Sequence, residues 1–149
     1  MNISDTNFQT LYGNDGNLNT ALPTAGAIQS SYAAGPTTLS GETTLTSITF
    51  TPLAVPYLIV GKARLVWPTG SSTNSIDVTL SLYEDATLLD SSNARLNVSS
   101  MTVYTASLPV SASRTPTAAS HTYAIKATPV APTTNWTAEN TSLVLIEGI

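Results

Sequence analysis

The chain between Ser75 and Glu84 has the sequence SIDVTLSLYE, in which apolar and polar side chains alternate. Successive side chains of a β-strand point to opposite faces of the sheet, so this period of two predicts a strand with one buried face. Residues 84–86 separate it from a second apolar run that begins at Thr87, and because Asp85 tolerates a positive φ, we expect a β-hairpin. The side chains predicted to be buried are Ile76, Val78, Leu80 and Leu82, and those on the opposite face are Asp77, Thr79, Ser81 and Tyr83.

Short runs rich in Val, Ile, Leu, Thr and Tyr flank this hairpin from residue 42 to the C-terminus, separated by Pro, Gly, Ser and Asn. Such a pattern is typical of an all-β sandwich or barrel. Eight runs fit a jelly roll, so we predict a single antiparallel β-sandwich of jelly-roll type over residues 42–149. The predicted strands are Thr43–Phe50, Tyr57–Trp67, Ser75–Glu84, Thr87–Ser91, Ala94–Ser99, Met101–Leu108, Ser120–Thr128 and Thr141–Glu147.

Residues 1–41 differ in composition from the rest of the chain. They hold two charged residues, Asp5 and Asp15, and clusters of turn formers such as those at Gly13–Asn17. The apolar residues are spaced too irregularly for a helix or strand face, so we predict an extended N-terminal arm that another subunit holds in place. The residues predicted to make the arm's contacts are Phe8, Leu11, Tyr12, Leu18, Leu22, Ile28 and Tyr32.

Two predicted strands, Tyr57–Trp67 and the C-terminal strand, are apolar on both faces. A strand of this kind must be covered on both sides, either by a second layer of its own domain or by a partner subunit. We favour the partner, because a sandwich gives each sheet only one inner face, and such surfaces are usually buried across a closed symmetric interface. The predicted oligomer interface consists of Leu58, Val60, Val66, Val144 and Ile146.

Charge is scarce in this sequence, because only 9% of its residues are charged, whereas Ser and Thr occupy 43 of the 149 positions. With five Lys and Arg residues and a net charge of −4, the chain lacks a basic surface for a phosphate backbone, so we expect no nucleic-acid partner. No apolar run approaches 18 residues, and residues 1–5 lack the pattern of a secretory signal, so neither a membrane partner nor that route of secretion is expected. The absence of cysteine excludes disulfides, thiolate metal sites and a thiol nucleophile.

Catalytic and metal-binding groups are few. His121 is the only histidine, no Gly-x-Ser-x-Gly motif accompanies it, and we interpret it as an exposed residue at a strand edge. The carboxylates of Asp77, Glu84, Asp85 and Asp90 are interpreted as solvated groups around a turn rather than a catalytic pair, and no Asp-x-Asp-x-Asp loop indicates calcium. We therefore predict no enzyme activity, no metal and no cofactor.

The two tryptophans have different predicted roles. Trp67 lies on the more apolar face of its strand and is expected in the core, whereas Trp136 lies in a turn-rich segment after Pro129. Trp136 is a candidate to cap the sandwich or to meet a neighbouring subunit, and it is also a candidate for ligand contact, since aromatic rings stack on sugars in β-sandwich lectins.

Four segments together resemble the small β-sandwich domains of tailed-bacteriophage virion proteins, which include trimeric capsid decoration (cement) proteins and fibre-tip domains. They are YLIVGKARLVW (57–67), VTLSLYEDATLL (78–89), HTYAIKA (121–127) and SLVLIE (142–147). The resemblance covers residues 42–149 and implies a non-enzymatic trimer on the outer capsid surface, whose arm reaches across neighbouring major capsid proteins. The expected partners are therefore copies of this chain and a major capsid protein, and the expected location is the virion.

Three other functions remain open at this stage. A fibre or receptor-binding module would present Trp136 and the segment at residues 68–73 to a host glycan. A standalone esterase or glycosidase is disfavoured by the missing acid–base pair. A pilus or surface-layer subunit also tolerates a Ser/Thr-rich composition, but it would need a secretion route.

Overall fold

The computed structural model describes residues 28–67, 75–97, 103–130 and 136–148, and all regular structure in these ranges is β-strand. Hydrogen bonds pair the strands antiparallel. The strands are β1 (Ile28–Ala33), β2 (Thr37–Thr38), β3 (Thr43–Phe50), β4 (Tyr57–Trp67), β5 (Ser75–Glu84), β6 (Thr87–Asn97), β7 (Tyr104–Arg114), β8 (His121–Val130) and β9 (Thr137–Glu147).

The strands are divided between two sheets. The first sheet has the order β1–β9–β4–β7, with β2 also paired to β9, and the second has the order β3–β8–β5–β6. The chain folds back on itself at the β5–β6 hairpin, and each earlier strand then pairs with a later one: β4 with β7, β3 with β8, and β1 with β9. A folded ribbon wrapped over two sheets in this way is a jelly roll. The predicted antiparallel β-sandwich is therefore confirmed.

The core lies between the inner faces of the two sheets. In β4 every second side chain from Tyr57 to Trp67 is buried, and in β5 Val78, Leu80 and Leu82 are fully buried. Full burial of an aliphatic side chain stabilises a fold by about 1.5–3 kcal/mol relative to exposure, so these strands provide much of the hydrophobic stabilisation. The largest fully buried side chains are Trp136, Tyr123, Leu39, Ile59, Leu65, Leu80, Leu82, Ile125, Leu143, Leu145 and Val78.

Gly61 is a position in β4 where a side chain would meet the opposite sheet. A Cβ atom at this position would lie 2.4 Å from Cδ1 of Ile125 in the opposite sheet and 3.1 Å from Cγ2 of Val110 in the neighbouring strand. The absence of a side chain at residue 61 therefore makes room for Ile125 in the core.

The observed strand bounds differ from the predicted ones near the N-terminus and from β6 to β9, where β8 extends to Val130 and β9 begins at Thr137 instead of Thr141. β3, β4 and β5 have the predicted bounds. The two predicted strands at 87–91 and 94–99 are one continuous strand, β6, and β7 begins later and ends later than predicted. β1 and β2 lie inside the segment predicted as an arm, both are paired with β9, and Leu39 is part of the core. Residues 1–27 lie outside the described residues, so for them the arm stays a prediction.

Candidate functional site

The outer surface of the first sheet carries a group of neighbouring apolar side chains that are exposed or only partly buried. Ile28, Ile146 and Leu58 are register partners across β1, β9 and β4, and Val144 and Val60 are partners in the adjacent row. Ile28 is 64% exposed and Val60 39% exposed, while the other three are partly buried. We call these five residues the apolar outer face. Four of them belong to the predicted oligomer interface.

The fifth residue of that predicted interface, Val66, lies apart from the others. It is also on the outer side of β4, but six residues beyond Val60, which is about 20 Å along a strand. Lys62 and Arg64 occupy the same side of β4 between these two valines. Val66 is therefore not continuous with the apolar outer face.

The residues predicted to make arm contacts divide into two sets. Ile28 and Tyr32 lie in β1 with their side chains on the outer side of the first sheet, and both are 64% exposed. The others, Phe8, Leu11, Tyr12, Leu18 and Leu22, lie outside the described residues. The structure thus adds Ile28 to the face that carries the predicted oligomer interface.

A polar strip borders the apolar outer face on the side toward Val66. Arg64 Nη1 donates to Glu139 Oε2 at 2.9 Å, and the Tyr32 hydroxyl donates to Asn140 Oδ1 at 2.7 Å. Lys62 is exposed in the same strip. The strip contains two positively charged side chains, Lys62 and Arg64, and one negatively charged side chain, Glu139, so its net charge is positive.

The outer side of the second sheet has more hydroxyl groups, and its two exposed aliphatic side chains among the described residues, Leu88 and Val130, are on different strands and are not register partners. Thr49 and Thr122 share a hydrogen bond of 2.9 Å, and Asn93 Nδ2 donates to Thr79 Oγ1 at 3.1 Å. We call this the hydroxyl face and define it as Ser47, Thr49, Thr79, Ser91, Thr122 and Thr128.

Charged groups on the outer side of the second sheet are paired with one another. Lys126 Nζ donates to Glu42 Oε1 at 2.7 Å and lies 4.6 Å from the centre of the Tyr83 ring. Arg95 Nε lies 3.6 Å from Asp77 Oδ1. The hydrogen bond from Lys126 lowers the pKa of Glu42 below its ordinary value, and the same bond raises the pKa of Lys126.

Trp136 is a core residue rather than a surface platform. Its side chain is fully buried, and its ring meets Trp67 edge-on with the ring centres 5.4 Å apart. Its backbone oxygen accepts a hydrogen bond from the Leu39 amide at 2.8 Å. Because no part of the ring is exposed, Trp136 offers no surface on which a sugar could stack, and the ligand-contact hypothesis is corrected. Its position agrees with the capping hypothesis.

Glu84 was predicted to be a solvated carboxylate, and the structure corrects this prediction. It is 5% exposed, and its Oε2 accepts hydrogen bonds from Nε and Nη2 of Arg114 at 3.1 and 2.8 Å. Its Oε1 accepts a hydrogen bond from the Tyr123 hydroxyl at 2.9 Å, and burial together with this carboxylate raises the pKa of Tyr123. Glu84 has the same strand parity as Leu80 and Leu82, so the alternation itself indicated that it points inward.

His121 is also less exposed than the sequence suggested. Its side chain is 16% exposed, its Nδ1 lies 2.8 Å from Asp85 Oδ2, and its Nε2 lies 3.0 Å from Thr117 Oγ1. Asp85 Oδ1 also accepts from the Thr122 amide, and this bond, followed by that to His121, lowers the pKa of Asp85. The order hydroxyl, imidazole, carboxylate is that of a hydrolase triad, but a hydrolase also needs donors aimed at an oxyanion. Here the three groups fasten the β5–β6 turn to the start of β8.

The remaining carboxylates have structural contacts as well. Asp90 Oδ2 accepts a hydrogen bond from the Ser111 amide at 2.8 Å, which links β6 of one sheet to the edge strand β7 of the other. Across the described ranges, no group of three or more His, Cys, Asp or Glu side chains stands where it could hold a metal ion. The described residues also contain no helix long and apolar enough to cross a membrane.

Comparison with known proteins gives weak similarities only. No family model matches the chain, and no curated protein matches it in sequence. The solved structures it resembles include a chain of the infectious bursal disease virus Gx strain, with a TM-score of 0.40, 13% identity and coverage of 81% of this chain. They also include a mutant VP2 protein of the same virus, with a TM-score of 0.40, 13% identity and coverage of 84% of this chain. A VP2 subviral particle of this virus has a TM-score of 0.37, 15% identity and coverage of 83% of this chain. This chain spans 32–33% of the length of those chains. Similarity at this level carries no conclusion about function.

Proposed function

We propose that this chain is a non-enzymatic structural protein of a virus particle: a capsid decoration protein that trimerises and clamps neighbouring major capsid proteins on the outer shell. The observation that carries the proposal is the apolar outer face. A soluble protein that functions alone rarely keeps a continuous apolar sheet face in water, whereas a subunit of an assembly buries one.

Three further features support an architectural role. Only 9% of the residues are charged, which suits a surface that is covered by neighbours. Among the described residues, Glu84, Asp85, Asp90 and His121 make hydrogen bonds that join strands and turns. The resemblance of residues 57–67, 78–89, 121–127 and 142–147 to tailed-bacteriophage virion domains supplies the specific assignment to a decoration protein.

The first test is the mass of the full chain in solution, measured by sedimentation equilibrium. We expect a trimer that dissociates when Val144→Glu places a carboxylate on the apolar outer face, and no change from the control Ser47→Glu on the hydroxyl face. A native chain that stays monomeric at high concentration would contradict the self-association, and loss of the trimer in both variants would contradict its location.

The second test addresses the decoration role. Particles assembled without this chain are mixed with the purified full chain, and its position and occupancy are measured by electron cryomicroscopy. We expect saturable binding to the outer shell across seams between capsid proteins. Binding at a fibre, or no binding to the particle, would overturn this assignment. A truncation that tests the arm should end at residue 27, because β1, β2 and the buried Leu39 follow it.

The glycan-binding alternative has no observation in its favour. Trp136 is fully buried, and the segment at residues 68–73 lies outside the described residues. Binding to a fibre site in the particle experiment would be the result that revives it.

A further inference from the structure

β1 brings the N-terminal part of the chain to the border of the apolar outer face. Within the described residues β1 forms the edge of the first sheet, with β9 on one side and no strand on the other. Ile28, its first residue, is a register partner of Ile146, which is in turn a partner of Leu58. Ile28, Ile146 and Leu58 thus form one row of the apolar outer face, and residues 1–27 connect to the sheet at the Ile28 end of this row.

The sequence of residues 1–27 complements that face in polarity and in charge. It contains seven large apolar side chains, and its only charged side chains are Asp5 and Asp15. The polar strip beside the apolar outer face carries Lys62 and Arg64 against Glu139. Opposite signs across an interface favour the correct partner and its orientation. The seven apolar residues are Met1, Ile3, Phe8, Leu11, Tyr12, Leu18 and Leu22, of which the last five are among the predicted arm contacts.

Residues 1–27 are long enough to reach a neighbouring copy of the chain. A segment of 27 residues spans up to about 90 Å when extended, whereas crossing four strands of a sheet requires only about 15 Å. A segment that covered the face of its own copy would remove the surface through which copies associate. A segment that crosses to a neighbour covers the same apolar side chains and also joins the subunits, as in exchanged terminal arms.

We propose that residues 1–27 of one copy lie across the apolar outer face of a neighbouring copy, with Asp5 and Asp15 toward the strip of Lys62 and Arg64. This inference rests on the self-association proposed above and names the part of the partner that covers the face. In this arrangement the N-terminal segment also lies beside the free edge of β1, where strand addition is available to it.

Photo-crosslinking of the full chain tests the inference, and the natural absence of cysteine makes single-site labelling clean. Ser111, on β7 in the row of Val60 and Val144, is changed to Cys and coupled to a benzophenone. These copies are mixed with an equal amount of ¹⁵N-labelled native chain, irradiated and digested, and the cross-linked peptides are identified by mass. The matched control is Ser91→Cys on the hydroxyl face, another exposed serine on an outer sheet surface.

We expect cross-links from position 111 to peptides of residues 1–27, about half of them ¹⁵N-labelled, and none to these peptides from position 91. Cross-links to residues 1–27 that are always unlabelled would show that the segment covers its own copy, which overturns the inference. Labelled cross-links to other segments would overturn it while leaving self-association intact. A chain that sediments as a monomer would overturn both this inference and the proposed function.

A second variant checks that the contact contributes to association. Leu18→Asp in the full chain should weaken trimer formation at least tenfold, while Thr20→Asp, a nearby polar position, should have less than a twofold effect. Equal association of the native chain and Leu18→Asp would contradict a role for the segment in covering the apolar outer face.

Discussion

The two outer faces of the sandwich differ in chemistry although both belong to antiparallel sheets of similar size. On the first sheet, neighbouring strands place aliphatic side chains beside one another, and these side chains are exposed or only partly buried. On the second sheet, hydroxyl and amide groups bond to one another, as Thr49 does to Thr122 and Asn93 to Thr79. Apolar area drives association and satisfied hydroxyls do not, so in the proposed assembly we expect the first sheet to meet the partner.

The largest effect that this comparison predicts comes from a charge on each face. Val60→Asp should raise the dissociation constant of self-association about 30-fold or more, because burying an unpaired carboxylate in an apolar contact costs about 2 kcal/mol or more. The matched change Thr79→Asp, on the outer side of β5, should alter it less than twofold. Sedimentation velocity over a concentration series measures both. Similar weakening by the two changes would show that the faces do not differ in function.

The comparison also shows what the sequence could and could not predict about the fold. The period of two in 75–84 predicted the correct bounds of β5, where Val78, Leu80 and Leu82 are fully buried. The continuous apolar run at 57–67 predicted the correct bounds of β4, where every second side chain is buried. β1 was missed, since Gln29, Ser30 and Ser31 present no such period at an exposed sheet edge. Its place is determined by backbone pairing with β9, far away in sequence, and that long-range contact leaves no local pattern.

The sequence predicted which side chains of the candidate site point outward, because side chains alternate between the two faces of a strand. Parity placed Leu58 and Val60, and likewise Val144 and Ile146, on outer faces, but it could not show that β4 and β9 are neighbours in one sheet. Trp136 was ambiguous because turn-rich flanking sequence does not reveal burial, and here the ring packs on Trp67. Which element pairs with which, rather than which side chain points outward, was the missing information.

An intermediate effect is expected from the ion pairs on the two sheets. Arg64→Ala should weaken self-association about tenfold and reduce its dependence on salt, because Arg64 borders the apolar outer face and a charge at an interface rim acts on encounter and orientation. Lys126→Ala, which removes the pair with Glu42 on the other sheet, should leave self-association unchanged. Association constants at 50 and 500 mM salt distinguish the two. A salt dependence that follows Lys126 instead would reverse the assignment of the faces.

A smaller gain of association should follow from enlarging the apolar outer face. Ser111 lies on β7 in the row that contains Val144 and Val60, so Ser111→Val extends the row by one aliphatic side chain. Burial of the added apolar area contributes about 1 kcal/mol, which corresponds to an association about fivefold tighter. Ser91→Val on the hydroxyl face should have no measurable effect in the same sedimentation assay. Tighter association from Ser91→Val would place the contact on the wrong sheet.

The smallest predicted effect is a pH dependence confined to the second sheet. The hydrogen bond from Lys126 lowers the pKa of Glu42 below its ordinary value of 4.5, so this carboxylate contributes stability above pH 4.5 and loses the contribution as the pH falls through its folded-state pKa. The pKa of Lys126 is raised above 10.5, so its contribution is present below pH 10.5 and is lost as the pH rises through the folded-state pKa. Glu42→Gln should therefore lower the urea midpoint of unfolding slightly at pH 7, and this difference from the native chain should shrink by pH 3. Self-association at pH 7 should be the same for both chains, because the pair lies outside the proposed interface on the first sheet. A change in association without a change in the urea midpoint would contradict that placement.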